Sequence, residues 1–260
     1  MKLTTKAIAK NHEKCLKILE NDKLSEEDKE FILNNYCSYY SGDNSSYAGV
    51  YFTPLDLASD LSLCVPKSEH RKVRILDACA GIGSLSYYGS FDPSYEITCV
   101  EINHNLVEVG KKVVPNGRWI GGDIQEVLKE LGEEFDVVIS NPPFGSAKGG
   151  TKLNAPRYKK QVAEYKVIDL VSDYASEGVF LLPQSSTPFK YSGFNYYSED
   201  RNNRKYLDFV KKTGLEMQFN IGIDTSVYDE EWIGVNIPTE IVMIDFTERK
   251  IAGKQLSLLS

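Results

Sequence analysis

Two short runs in this chain hold residue types that could do chemistry. The first, Asp77-Ala78-Cys79-Ala80-Gly81-Ile82-Gly83, closes the apolar run Val73 to Cys79. Gly81 and Gly83 let the backbone turn tightly and approach a ligand that a Cβ would block. Glu101 follows Asp77 by twenty-four residues, where an acid accepts hydrogen bonds from ribose hydroxyls. The third glycine of a dinucleotide-phosphate motif is missing, because the run continues Ser84-Leu85-Ser86. A carboxylate at Asp77 would also repel a pyrophosphate, and it suits a cation instead. The second run is Asn141-Pro142-Pro143-Phe144, directly after the apolar stretch Phe135 to Ser140. Consecutive prolines cannot continue a strand ladder and fix a rigid extended turn. Bracketed by an amide and an aromatic ring, that turn offers two acceptors, Asn141 Oδ1 and the Pro142 carbonyl, to an exocyclic –NH₂. Phe144 is a flat surface on which a ring can stack.

These runs must sit at the carboxyl ends of strands, because ligands of open α/β sheets bind there, where the strand order switches. Val73 to Cys79, Ile97 to Ile102, Trp119 to Gly121, Phe135 to Ser140 and Val179 to Leu182 read as strands, with amphipathic stretches such as Leu106 to Val114 and Ile124 to Leu131 between them. Such alternation implies right-handed crossovers and a parallel sheet covered on both faces. A helix over Arg204 to Lys212 precedes two last strand patterns, Leu215 to Ile221 and Ile241 to Phe246, separated by a loop. They read as an antiparallel hairpin closing the sheet edge. The expected architecture is α/β: a Rossmann-like, seven-stranded, mostly parallel sheet with an antiparallel C-terminal hairpin and helices on both faces. Ahead of it, Lys6 to Leu19 and a stretch capped by Ser25, with Phe31, Ile32, Tyr36 and Tyr39 on its face, read as two covering helices. Thr53 can cap a further helix, with Pro54 in its first position, running from Leu55 to Cys64.

With Tyr51-Phe52-Thr53-Pro54 ahead of the first strand and Gly122-Asp123-Ile124 after the third, the sequence resembles the class I S-adenosylmethionine-dependent methyltransferases. Among them it is most similar to amino-group methylases with an (N/D/S)PP(Y/F) motif, and in particular to N6-adenine DNA methyltransferases whose cofactor motifs precede the catalytic one. The resemblance runs from about Tyr51 to Phe246. It implies S-adenosylmethionine as cofactor, with Phe52, Thr53 and Pro54 holding the methionine carboxylate. It further implies that Asp77, Ala78, Gly81 and Gly83 lie around the methionine part and Glu101 binds the ribose. Asp123 would accept from the cofactor adenine N6, with Ile102 and Ile124 sandwiching the ring. Asn141, Pro142, Pro143 and Phe144 would be the catalytic motif, Asn141 also bordering the cofactor. The sulfonium methyl is already electrophilic, so orientation and electrostatics suffice and no base of neutral pKa is needed. No metal is implied.

The motif alone does not choose the acceptor, because RNA guanine N2 and protein-glutamine methylases also carry NPP(F/Y). Residues 145–166 hold six cations against one acid, Glu164, with Tyr158 and Tyr165 interleaved. That run reads as a phosphate-contacting patch, with Lys148, Lys152 and Arg157 as substrate-binding candidates, joined by Tyr196 and Tyr197 in a Tyr/Asn/Arg-rich segment. The tail Gln255-Leu256-Ser257-Leu258-Leu259 resembles peptides that engage the bacterial sliding clamp. Both features point to DNA: a flipped adenine methylated at N6, serving restriction-modification or epigenetic marking in a bacterial or phage-infected cytoplasm. The alternatives are an RNA or protein-glutamine amino-group methyltransferase, or the cofactor-binding subunit of a larger modification complex. Little chain remains for target recognition, so a specificity subunit or homodimer would be a natural partner. The organisation expected is a helical extension over 1–48, a methyltransferase domain over 49–250 and a tail over 251–260.

The 260 residues carry a net charge of −7 and are 42% hydrophobic and 26% charged. This composition excludes a disordered chain, and the longest apolar runs are far short of the ~20 residues of a membrane span. The N-terminus has no apolar signal region. Five cysteines with no CxxC pair read as reduced thiols.

Overall fold

A computed structural model describes residues 4–37, 40, 51–145, 153–233 and 237–249. Seven strands, β1 (Val73–Ala78), β2 (Tyr95–Glu101), β3 (Arg118–Gly121), β4 (Phe135–Ser140), β5 (Ala175–Pro183), β8 (Gln218–Phe219) and β9 (Thr239–Asp245), form one sheet in the order β3-β2-β1-β4-β5-β9-β8. Pairings from β3 through β5 are parallel, while β9 runs antiparallel to both β5 and β8. The C-terminal pair is therefore an antiparallel hairpin, as the two unseparated strand patterns imply. Its second strand enters between β5 and β8, leaving a two-residue β8 at the edge. Leu215 and Met217, read in sequence as strand, are buried core residues just before β8. A small two-stranded ribbon, β6 (Phe189–Lys190) with β7 (Ser198–Glu199), follows β5.

Residues of alternate parity on β1 enter different cores, as a two-residue period demands. Leu76 and Ala78 pack with α6 (Ile124–Leu131), α7 (Ala163–Val171) and α8 (Arg204–Thr213). Val73 and Ile75 pack with Leu57, Ala58 and Leu61 of α3 (Leu55–Ser62) and Leu85 of α4 (Ser84–Gly89). A third cluster joins α1 (Thr5–Ile18) and α2 (Glu26–Asn35) to α5 (His104–Val113) through Cys15, Ile32, Leu106, Val109 and Val113. The Ser25 cap is a full capping box with Asp28. Pro54, expected in the first helical turn, is instead the cap position of α3, a one-residue difference. Tyr39 lies outside the described residues.

Helix α7 departs most from expectation, since all nine of its residues are buried, including Glu164, Lys166 and Asp169. A helix buried all round shows no amphipathic period. Its charges are answered internally, Asp169 by Arg157 and Lys166 by the Leu153 carbonyl. All five cysteines are unpaired. Among the described residues no helix is long and apolar enough to cross a membrane.

Candidate active site

The strand order reverses between β1 and β4, and the principal cavity opens at their carboxyl ends, with about 1100 Å³ of empty space including its open mouth. On the β1 side, Cys79, Gly81 and Gly83 all take left-handed backbone angles (φ 65°, 58° and 93°), which folds the chain back on itself within five residues. The Gly81 N–H donates to Glu101 Oε2 at 2.9 Å, and Glu101 Oε1 accepts from the Asn103 N–H at 2.9 Å. The Glu101 carboxylate thus ties the turn to the end of β2, and its burial raises its pKa. A Cβ on Gly81 would stand 3.1 Å from the Phe52 ring, so Phe52 lies close over the turn. Phe52 is backed by Tyr36 of the N-terminal pair, ring centres 6.0 Å apart.

Asp77 Oδ2 accepts from Ser86 Oγ at 2.6 Å. Its Oδ1 is buried with no hydrogen-bond partner among the described residues, and so is Ser84 Oγ. Burial pushes the Asp77 carboxyl up to about 7; the Ser86 bond opposes this and the nearby Glu101 charge adds to it. An orphaned buried carboxylate oxygen on a cavity wall calls for a cationic or proton-donating ligand group. Asp123 caps α6 by accepting from the Gln125 N–H at 2.9 Å, and it lines the cavity together with Ile102 and Ile124.

Strand β4 delivers the second run. Ser140 Oγ donates to the Ala78 carbonyl, locking β4 to β1 just before the prolines. Asn141 Nδ2 donates to the Tyr51 carbonyl and to Thr53 Oγ1, both at 3.0 Å. With both amide hydrogens engaged on that side, Oδ1 is the atom left to accept from a ligand in the cavity. Pro142, Pro143 and Phe144 complete the wall, with Leu153 beside them. The arrangement can hold a primary amine between Oδ1 and the Pro142 carbonyl while a ring packs on Phe144.

The cavity gathers Phe52, Thr53, Asp77, Gly81, Glu101, Ile102, Asp123, Ile124 and Asn141 to Phe144 from the residues expected at the site. Pro54, Ala78 and Gly83 do not line it. Ala78 is wholly buried in β1, and a Cβ on Gly83 would fall 2.9 Å from Val114 and 3.0 Å from Trp119, so that glycine serves packing away from the ligand. Lys148 and Lys152 lie outside the described residues, as does the tail peptide Gln255 to Leu259. Of the remaining cations, Arg157 pairs with Asp169 and Asp173 and Lys166 reaches the Leu153 carbonyl, whereas Lys159 and Lys160 are exposed and touch the Ala155 carbonyl and Asp208. Tyr158 and Tyr165 are core residues. The described part of the run thus keeps two exposed lysines, Lys159 and Lys160, while Arg157 and Lys166 are taken up within the fold. Tyr196 is 74% exposed, and Tyr197 is 41% exposed with its ring against Phe189 and Phe219. Tyr51, Ser84 and Leu153 also line the cavity, and only Tyr51, next to Phe52-Thr53-Pro54, carried a sequence hint.

Residues 45–162 match the family described as methyltransferase small domain. The ribosomal RNA small subunit methyltransferase C of Erwinia tasmaniensis is 33% identical over 93 residues, 35% of this chain and 27% of that protein. Its namesake from Cronobacter sakazakii is 30% identical over 125 residues, 46% of this chain and 36% of that protein. The chain thus spans about a third of the length of these curated relatives. A class I S-adenosylmethionine-dependent methyltransferase, provisionally so described, from Listeria monocytogenes superposes with TM-score 0.52 at 15% identity over 87% of this chain and 69% of that one. A modification subunit of a provisionally assigned type I restriction enzyme from Vibrio vulnificus does so at 0.52 and 12% identity over 86% and 50%. The fold is that of class I S-adenosylmethionine-dependent methyltransferases. The cofactor that goes with this fold is S-adenosylmethionine, and the buried orphan oxygen of Asp77 fits its ammonium.

Proposed function

We propose that the protein transfers a methyl group from S-adenosylmethionine to an exocyclic amine of a nucleic-acid base, with RNA as the first acceptor class. The observation that carries the reading is the Asn141 amide, held by Tyr51 and Thr53 so that only its oxygen is offered to the acceptor. The sequence likeness to ribosomal RNA methyltransferases supports RNA. Asp77 and Ser84 would hold the amino-acid end of the cofactor, Glu101 its ribose, and Asp123 with Ile102 and Ile124 its adenine. Bound cofactor supplies an electrophilic methyl group. Asn141 Oδ1 and the Pro142 carbonyl each accept an N–H of the acceptor amine and favour its pyramidal form, which directs the nitrogen lone pair at that methyl. An amide is too weak a base to remove the proton, so proton loss follows transfer. Phe144 stacks on the acceptor base. The β6–β7 ribbon leaves the carboxyl edge of β5, and its exposed Phe194, Tyr196 and Tyr197 offer further stacking surfaces for unpaired bases.

A second reading, N6-methylation of DNA adenine, is favoured by the Asn-Pro-Pro-Phe motif and its position after the cofactor motifs. With Arg157 and Lys166 taken up within the fold and Lys159 and Lys160 exposed, the described run does not choose between RNA and DNA. The deciding experiment supplies labelled cofactor with structured RNA, single-stranded DNA, duplex DNA and protein in parallel, followed by nucleoside mass analysis. Methylated base from RNA is expected; N6-methyladenine from DNA alone would select the second reading, and label only in protein would overturn both.

A further inference from the structure

Just past the acceptor motif, the next backbone group is held by Glu164. This carboxylate is fully buried at the start of α7, nineteen residues beyond Gly145, whose N–H it accepts. Its Oε2 accepts the Gly145 N–H at 2.8 Å, and the Gly145 carbonyl in turn accepts the Ala163 N–H at 2.8 Å. Its Oε1 accepts from Ser186 Oγ at 2.6 Å and from Lys205 Nζ at 3.3 Å, while Lys205 also donates to Ser186 Oγ at 2.7 Å. The Ser186 segment is itself locked: Tyr165 donates to the Ser186 carbonyl at 2.7 Å, and Asn203 Nδ2 to the Thr187 carbonyl at 2.9 Å.

A buried ion pair is weak as a source of stability, since apolar residues of similar volume commonly do as well. What Glu164 does that an apolar residue could not is grip a backbone N–H one residue past Phe144. Gly145 sits at φ 71°, and among the described residues no atom lies within 4 Å of where its Cβ would be, so none of their side chains packs it there. Resting on the proposed amine methylation, we infer that Glu164 is a positioning residue: it fixes the Phe144–Gly145 end of the acceptor-binding segment through the Gly145 N–H, and Lys205 and Ser186 hold it in place. Asn141 is set from one side by Tyr51 and Thr53, and Gly145 from the other by Glu164.

Two conservative variants separate this role from a merely structural one. Glu164→Gln keeps an oxygen for Gly145 and offers its –NH₂ to Ser186, but loses the charge. Glu164→Asp keeps the charge beside Lys205 but is shorter by one methylene and falls short of Gly145. Because misplacement by about 1 Å can cost on the order of 100-fold, kcat should fall about 30-fold or more in Glu164→Asp and stay within about threefold in Glu164→Gln. KM for S-adenosylmethionine should stay within about twofold in both, as the cofactor walls are untouched. Hydrogen exchange of the segment 141–145 should quicken only in the aspartate variant. Equal activity of the two, a better aspartate than glutamine variant, or a loss confined to KM would overturn the inference. If the wild type methylates no nucleic acid, the proposed function fails on its own. The exchange measurement then still decides the tie, and equal exchange in wild type and Glu164→Asp refutes it.

Discussion

Replacing Thr53 by Val tests how the acceptor amide is held. The substitution preserves shape and removes one oxygen, the one that accepts from Asn141 Nδ2 at 3.0 Å. The Tyr51 carbonyl, a backbone group at the same distance, remains as the other partner. The amide then keeps one of two bonds, and one N–H in a partly buried position is left without an acceptor. A neutral hydrogen bond is worth about 1 kcal/mol net, and an unsatisfied donor about 1–3. Oδ1 is useful only while the amide keeps its orientation, so roughly 1–2 kcal/mol should be added to the barrier, a loss of about 5- to 30-fold in kcat. Removing the acceptor altogether in Asn141→Ala should do far more, about 100- to 1000-fold, on the scale of deleting a single preorganised polar group. The assay is single-turnover methyl transfer at saturating cofactor and acceptor, with cofactor affinity measured separately. A Thr53→Val enzyme with kcat within twofold of wild type would refute the reasoning. A rise in KM for the cofactor at unchanged kcat would assign the hydroxyl to the methionine carboxylate instead.

The other expectations concern titration, packing and charge. Asp77 is raised from 3.8 to about 7 in the folded protein. Its stability contribution is therefore complete below pH 4 and is lost as pH rises through 7, on the order of 4 kcal/mol over that window. Denaturant melts of the apoprotein from pH 4 to 8 should show this fall in wild type and not in Asp77→Asn; parallel profiles would refute it. If Asp77 meets the cofactor ammonium, binding favours its ionised form, so S-adenosylhomocysteine binding near pH 6 should release a proton, read by calorimetry in buffers of different ionisation enthalpy. Gly83→Ala forces a left-handed alanine against Val114 and Trp119 and should cost about 2–4 kcal/mol in melts. Folded Gly83→Ala should still bind cofactor normally, and weakened binding at unchanged stability would instead place Gly83 at the ligand. Arg157→Ala strips the cation from a fully buried Asp169 and should lower stability by about 3 kcal/mol. The salt dependence of its nucleic-acid binding should not change; a shallower salt slope with an unchanged melt would restore Arg157 as a phosphate contact.

The sheet was legible because its strands are short apolar runs separated by helical patterns, and β4 and α6 fall on the residues read from sequence. Where reading failed, burial had erased the period. Helix α7 is enclosed on every side and carries three charges, so nothing in its sequence separates a core helix from a solvated loop. A cation count over 145–166 likewise cannot show that Arg157 and Lys166 face partners already in the protein while Lys159 and Lys160 stay exposed. Composition reports how many charges there are, and only three-dimensional pairing reports how many remain for a ligand.

The site divides along a similar line. Residues that would touch ligand were visible, because the chemistry restricts their types: an acid after β2, and an amide and an aromatic bracketing two prolines. The contacts that aim them were not. Asn141 is oriented by Tyr51 and Thr53, which precede it by 90 and 88 positions, and Gly145 is gripped by Glu164, 19 positions on. Tyr51 contributes a backbone carbonyl, which any residue could supply, so its identity carries no signal. Glu164 reads in sequence as the lone acid among six cations, which would make it a blemish on a phosphate-binding surface. In the folded chain that acid is the reason the motif has a fixed end, and one of the cations outside the run, Lys205, is there to answer it.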